Sequence, residues 1–309
     1  VLNVETAGAG ADLTGSTITA SRPVAVFSGS ECSDVPPWDD LNDRRCCCDH
    51  LEAQQFPRAT LGRRYIGVHT PNRTTRVRAA GGPVGLVPEE PEFFRVLAVN
   101  PGTTHVRTSI PLNMAAPDGG PSTLEFDLAQ NEVRTLRSVT HFEIDASAPV
   151  SVANFMSSQG NTGIPLEYPG GDGSFIPMPS IEQWRDTYVF LTPDKYAFDF
   201  VMVVAPPAAT VSLDGDPLPT SDCEVARADG CVASRMRTCP PSAYTVYSCQ
   251  LSYPVIVPGR MYPENVLPGR QRDGVHIVRG SEPVGVIVSG FDLRVSYGYP
   301  AGTQLRPLN

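Results

Sequence analysis

Asp49-His50, with Glu52 two residues on, is the pair of side chains in this chain that most resembles a catalytic group. A histidine titrates near neutral pH and, oriented by a carboxylate, can act as a general base or bind a metal. On that reading the protein is a secreted hydrolase centred on Asp49 and His50. Adjacent residues rarely converge on one point, however, and no nucleophile stands at a fixed spacing from the pair. The plainer expectation makes Asp49 the cap of a short helix and His50 a hydrogen-bonded loop residue. His69, His105, His141 and His276 share no spacing and fit surface or partly buried strand positions.

Asp34, Asp39, Asp40 and Asp43 surround Pro36-Pro37-Trp38 and could gather oxygen ligands for Ca²⁺. They lack the alternating spacing and closing Glu of an EF-hand loop, so a solvated acidic loop is expected and no metal site is assigned. No Gly-x-Ser-x-Gly elbow and no His-Glu-x-x-His motif occurs. Gly170-Gly171-Asp172-Gly173 leads into no lysine-containing phosphate loop and reads as a mobile connection, so no cofactor is expected. Asp214-Gly215 reads as a hairpin turn, because glycine accepts positive φ.

The eight cysteines fall into two clusters, Cys32 with Cys46, Cys47 and Cys48, then Cys223, Cys231, Cys239 and Cys249. Neither cluster has the paired Cys-x-x-Cys knuckles of a zinc site. An even count in a turn-rich chain points instead to disulfides and an oxidising compartment. Val1 is not an initiator residue and no signal peptide is visible, so the chain is expected to be mature or excised from a longer one.

The elements that must carry these groups are short strands. With 31 prolines and 27 glycines among 309 residues, many strands joined by turns are expected. No apolar run is long enough to span a membrane as a helix, so no membrane insertion is expected. A formal charge of −9 argues against nucleic acid or an anionic membrane as partner.

A Ser-x-Pro-Val joint occurs three times, at Ser21–Val24, Ser147–Val150 and Ser281–Val284. Proline suits a turn exit or a first strand position and not the middle of a strand. Tyr65-Ile66-Gly67-Val68-His69-Thr70-Pro71 matches Tyr188-Val189-Phe190-Leu191-Thr192-Pro193, and the stretch from Phe94 matches the stretch from Phe200. This internal duplication divides the chain into closing strands of a partial module (1–30), a Cys-rich acidic loop with a short helix near residues 47–56 (31–57), and two full modules (58–160 and 161–309). The second module carries a Cys-rich insertion at 223–249, and the first a surplus run from Asn72 to Pro91, read as a surface loop. The fold class is all-β, with tandem β-sandwich-like modules; a β-propeller is the alternative.

Several motifs together resemble the IgGFc-binding protein N-terminal domain family, in a bacterial-type member. They are Asp12-Leu13-Thr14-Gly15-Ser16, Pro23-Val24-Ala25-Val26-Phe27-Ser28-Gly29 with Cys32 and Val35-Pro36, Cys48-Asp49-His50-Leu51, Gln55-Phe56-Pro57, Gly290-Phe291-Asp292 and Ser296-Tyr297-Gly298-Tyr299-Pro300-Ala301-Gly302. The resemblance implies a non-catalytic, β-rich, extracellular or cell-surface region; the expected partner is a protein or glycan at the cell surface. No motif supports binding to antibody Fc.

Cys32 is expected to pair with Cys48. The four later cysteines allow three connectivities, of which the nested one, Cys223 with Cys249 and Cys231 with Cys239, is adopted. Cys46 and Cys47 would then pair with each other or with a partner outside the chain. Phe291, Tyr297 and Tyr299 form a candidate binding surface, since tyrosine offers area and a polar tip, with a packed module terminus as the alternative. The expected function is adhesion, protein binding or scaffolding within a larger protein; a lectin-like glycan binder is the alternative of the binding class.

Overall fold

Alternation of apolar and polar residues at period two dominates this chain, and strands form where it holds. The computed structural model describes residues 1–8, 10–36, 48–86, 89–111, 123–232, 239 and 244–308. Phe27–Ser33 (β1) and Asp49–Gln54 (β2) pair as an antiparallel hairpin. The helix expected near residues 47–56 is therefore a strand over its described part. Six residues close too few helical hydrogen bonds to offset nucleation. Beside them β1 offers an edge, and the Cys32–Cys48 disulfide holds the segments with Cα atoms 5.0 Å apart. Among the described residues no strand precedes Phe27, so the strands expected over residues 1–30 reduce to the start of β1.

The first module comprises Arg64–Gly67 (β3), Arg73–Ala79 (α1), Glu92–Ala98 (β4), Thr104–Pro111 (β5), Thr123–Leu128 (β6), Val133–Ser138 (β7), Phe142–Ala146 (β8), Val150–Met156 (β9) and Ser174–Pro177 (β10). Its two sheets run β10-β9-β4-β7 and β3-β8-β5-β6. They face one another across a core in which Phe94 meets Phe142 edge-on, ring centres 4.7 Å apart. Strand β10 thus joins β9 from beyond the boundary expected at residue 160.

The second module follows the same plan with Arg185–Thr192 (β11), Phe198–Ala205 (β12), Val211–Leu213 (β13), Asp216–Pro217 (β14), Cys223–Arg227 (β15), Thr245–Gln250 (β16), Tyr253–Ile256 (β17), Val266–Arg270 (β18), Gly274–Asp292 (β19) and Val295–Pro300 (β20). Strand β19 is long enough to serve both sheets. Its first half pairs with β11 and β13, and its second half with β12 and β20. It does the work of β8 and β9 together, and Pro283 lies inside it where the pairing changes partners. The sheets pair face to face and do not form propeller blades.

The joints carry matching hydrogen bonds. Tyr65 Oη donates to the Val150 carbonyl (2.5 Å) and accepts from the Gly62 N–H (3.2 Å). Tyr188 Oη donates to the Val284 carbonyl (2.6 Å) and accepts from the Arg185 N–H (2.9 Å). Ser147 Oγ accepts from the His105 N–H and Ser281 Oγ from the Thr210 N–H, at 2.9 and 3.0 Å.

Register corrects one sequence match. Phe94 pairs with Asn154 and Val201 with Val288, each partner five residues after its joint proline. Phe94 therefore corresponds to Val201, not Phe200, and the one-residue slip exchanges the two faces of the strand. This explains the unbroken burial of β12. Val201, Val203 and Ala205 face their own module's core, whereas Phe198, Phe200, Met202 and Val204 join the core of the first module.

The run from Asn72 is a surface loop only after Ala79; its first part is helix α1. Asn72 Oδ1 caps α1 by accepting from the Thr75 N–H (2.8 Å), and Arg73, Thr74 and Val77 are buried.

Candidate functional site

Charged side chains are seldom fully buried, so α1 marks an unusual place. Arg73 and Glu90 are both buried, with Nε and Oε2 3.3 Å apart. Glu90 also accepts from the backbone N–H groups of Arg73 (2.9 Å) and Thr74 (2.7 Å). The Arg73 guanidinium donates onward to the carbonyls of Gly170 (3.0 Å) and Ser157 (2.7 Å), so one ion pair ties α1 to the chain on either side of 160–169. Beside it Glu92 accepts from Asn154 Nδ2 (2.8 Å), from the Thr70 N–H (3.0 Å) and from the Thr70 hydroxyl. The ring nitrogens of His69 face the carbonyls of Thr70 and Glu90 at 2.6 and 2.7 Å. His141 Nδ1 accepts from the His69 N–H (3.0 Å), and burial, with the charge of His69, pushes His141 down to about 3.

A second buried group joins the sheet ends. Asp199 occupies in β12 the position Glu92 has in β4, and it accepts from Tyr297 Oη (2.6 Å) and Ser252 Oγ (2.7 Å). Burial, reinforced by Asp273 and Asp292, pushes Asp199 up to about 6. Asp172 is fully buried and likewise pushed up to about 6, by burial and by Asp49. Its N–H donates to Ser296 Oγ (2.9 Å). Gly170-Gly171-Asp172-Gly173 is therefore a packed link and not a mobile one. Gly171 sits at φ +68°, with Ser296, Phe291 and Arg73 crowding the space where a side chain would start.

The residues singled out by sequence do not assemble into one site. Asp49 and His50 point to opposite faces of β2, as successive strand residues must. Asp49 is half-buried and raised by burial, while His50 is exposed, its Nε2 3.5 Å from Glu52. Phe291 is 2% exposed and stacks on Phe198, with ring centres 4.5 Å apart. Tyr297 spends its hydroxyl on Asp199, and Tyr299 bonds both the N–H and the carbonyl of Leu191. Of the aromatic ending, Phe291 faces the core, while Tyr297 and Tyr299 stay partly exposed with their hydroxyls engaged. Buried His69 and His276 are likewise bonded internally, the latter to Asp214 at 2.8 Å.

Among the described residues three disulfides are present: Cys32–Cys48, Cys223–Cys249 and Cys231–Cys239. Cys223 and Cys249 are directly opposed in the β15–β16 pair, and Cys231–Cys239 is nested inside. Cys46 and Cys47, together with Asp39, Asp40 and Asp43 of the acidic loop, lie outside the described residues. Asp34 is described and partly buried. Among the described residues no three His, Cys, Asp or Glu side chains are placed to hold a metal ion, and no helix is long and apolar enough to cross a membrane.

Sequence reasoning did not find the Arg73–Glu90 pair. The signal was an arginine directly after a helix-capping asparagine, hidden in a run read as a loop. It also missed an open groove of about 400 Å³ between Leu61–Arg64, Asp145, Pro149, Glu182 and Leu308. Arg64 Nε and Glu182 Oε1 close at 3.2 Å beside it.

No curated protein and no solved structure matches this chain. The family model described as IgGFc binding protein matches residues 1–290. That span takes in the β1–β2 hairpin, the first module and the second module as far as Gly290 in β19, and the chain belongs to the IgGFc binding protein family.

Proposed function

We propose that this region is a non-catalytic extracellular unit of a larger secreted or cell-surface protein, serving adhesion, protein binding or scaffolding. The observation that carries the reading is the family match over 1–290, whose description is that of a binding protein. Three disulfides fit export to an oxidising compartment. The matched joints at Tyr65 and Tyr188 support an origin by internal duplication, with β1–β2 as the end of a further, partial module. The buried acids and histidines act as cross-links between strands, which favours a rigid surface over a reactive centre. Antibody Fc is not the partner inferred, since no residue pattern in this chain accounts for it.

The test is a binding screen with the purified chain immobilised, offered Fc fragment, a panel of extracellular matrix and mucin proteins, and a glycan array. Saturable binding of a protein or glycan, retained by His50→Ala, supports the reading. Turnover of a substrate that His50→Ala abolishes would establish the hydrolase instead.

A further inference from the structure

The interface between the two modules has an unoccupied counterpart. In the first module the outer face of the β3–β8–β5–β6 sheet presents Ile66 and Val68, which are 3% and 2% exposed. They are covered by the outer face of the β12–β19 sheet of the second module, where Val204 and Ile287 close against them. Register places Val189 at the position of Ile66 and Leu191 at that of Val68, because Tyr65 pairs with Ile144 and Tyr188 with Val278, each five residues before its joint proline. Val189 and Leu191 are 62% and 56% exposed, and Val275 beside them is 67% exposed. Cross-strand pairing aligns Leu191 with Val275, so the three make one apolar patch on a sheet face. The neighbouring backbone edge is not free at Leu191, whose N–H and carbonyl both bond Tyr299 Oη. What remains open is the face.

The chain also carries the complementary face. The positions of Val204 and Ile287 are filled in the first module by Leu97 and Ala153, on the outer side of the β4–β9 sheet. Leu97 and Ala153 are both partly exposed. A turn at Leu13–Ser16 lies beside part of this face, held by Arg95, which bonds Asp12 (2.8 Å) and the Thr14 hydroxyl (3.0 Å), and a side chain at Gly15 would begin 3.8 Å from Leu97. These bonds lie at the surface, where an ion pair contributes little.

We propose that the Val189–Leu191–Val275 face docks a second copy of this chain through that copy's β4–β9 face, repeating the contact already made between the two modules. The contact is head-to-tail, so each copy keeps one face of each kind and the assembly grows or closes into a ring. The inference rests on the interface between modules and stands or falls separately from the ligand-binding role.

Sedimentation velocity of the whole chain over the micromolar range tests it. The expected result is concentration-dependent association that Leu191→Asp weakens at least about tenfold. Val189→Asp does the same, and the exposure of both positions keeps the variants folded, which circular dichroism verifies. Leu97→Asp blocks the opposite face, and mixing it with Leu191→Asp restores one-to-one pairs but nothing larger. A chain that stays monomeric, association untouched by Leu191→Asp, or variants that do not pair when mixed would each overturn the proposal. The first of these outcomes would leave the face to a module from another part of the parent protein.

Discussion

Removing one hydroxyl from each joint asks whether the two modules are held in the same way. In Tyr65→Phe the ring stays in place, but the Val150 carbonyl loses its donor and the Gly62 N–H its acceptor. Tyr65 is 1% exposed, so water does not replace the lost bonds without rearrangement. A buried group left unpaired costs about 1–3 kcal/mol. The Gly62 contact is long at 3.2 Å, which puts the expected loss at about 2 kcal/mol. Tyr188→Phe strips the Val284 carbonyl and the Arg185 N–H in the same manner, and Tyr188 is 3% exposed. Its expected loss is also about 2 kcal/mol. The two sites share no partner, so the double variant should lose about 4 kcal/mol. Urea unfolding at neutral pH measures these values from the shift in midpoint at constant slope. The reasoning fails if one substitution is neutral while its counterpart is costly, or if the pair departs from additivity by more than about 1 kcal/mol.

Acid titration should show the buried carboxylates. Asp172 and Asp199 ionise near 6 in the folded chain against an ordinary 3.8, so the folded state holds more protons in that window. Stability from these groups is full below about pH 4 and lost as pH rises through about 6, and Asp199→Asn should flatten that slope in urea midpoints taken from pH 4 to 7.5. Below that window the trend reverses, since Asp222 and Asp229 are held low by Arg270 and Arg227 and lose their contribution on protonation. Replacing Cys223 and Cys249 by serine opens a loop of sequence separation 26 and should cost about 3 kcal/mol in the same assay, whereas no loss would mean the hairpin is held by pairing alone. His50→Ala should leave the stability unchanged within about 0.5 kcal/mol, because the ring is exposed and meets Glu52 at the surface, Nε2 to Oε2 3.5 Å. A larger change would give His50 a role that its position does not explain.

The strand-rich character and the tyrosine and proline landmarks were legible, because each is set by local residue chemistry, whereas the later cysteine pairs had to be chosen among three connectivities. Period-two alternation and turn residues announce strands without knowledge of what they pack on, and Asp214-Gly215 takes the positive φ its composition demands. Less legible was anything decided at long range. Asp49–Gln54 is as compatible with a helical turn as with a strand until β1 lies beside it. The Asn72 run looks like a loop because its arginines appear solvated, yet Arg73 is held by Glu90, Gly170 and Ser157, all distant in sequence. The match of Phe94 to Phe200 failed by one residue because both faces of β12 are apolar, so composition could not say which face was which. Tyr297 and Tyr299 read as surface aromatics for a related reason, since their partners Asp199 and Leu191 lie some hundred residues away.

The claim beneath this account is that the chain works outside the reducing interior of the cell, as a rigid body fastened by sulfur. Peptide mapping of unreduced, alkylated protein isolated from the producing cell tests it most directly. The account predicts Cys32 linked to Cys48, Cys223 to Cys249 and Cys231 to Cys239, with none of the six alkylated. Recovery of those six cysteines as alkylated thiols would contradict it.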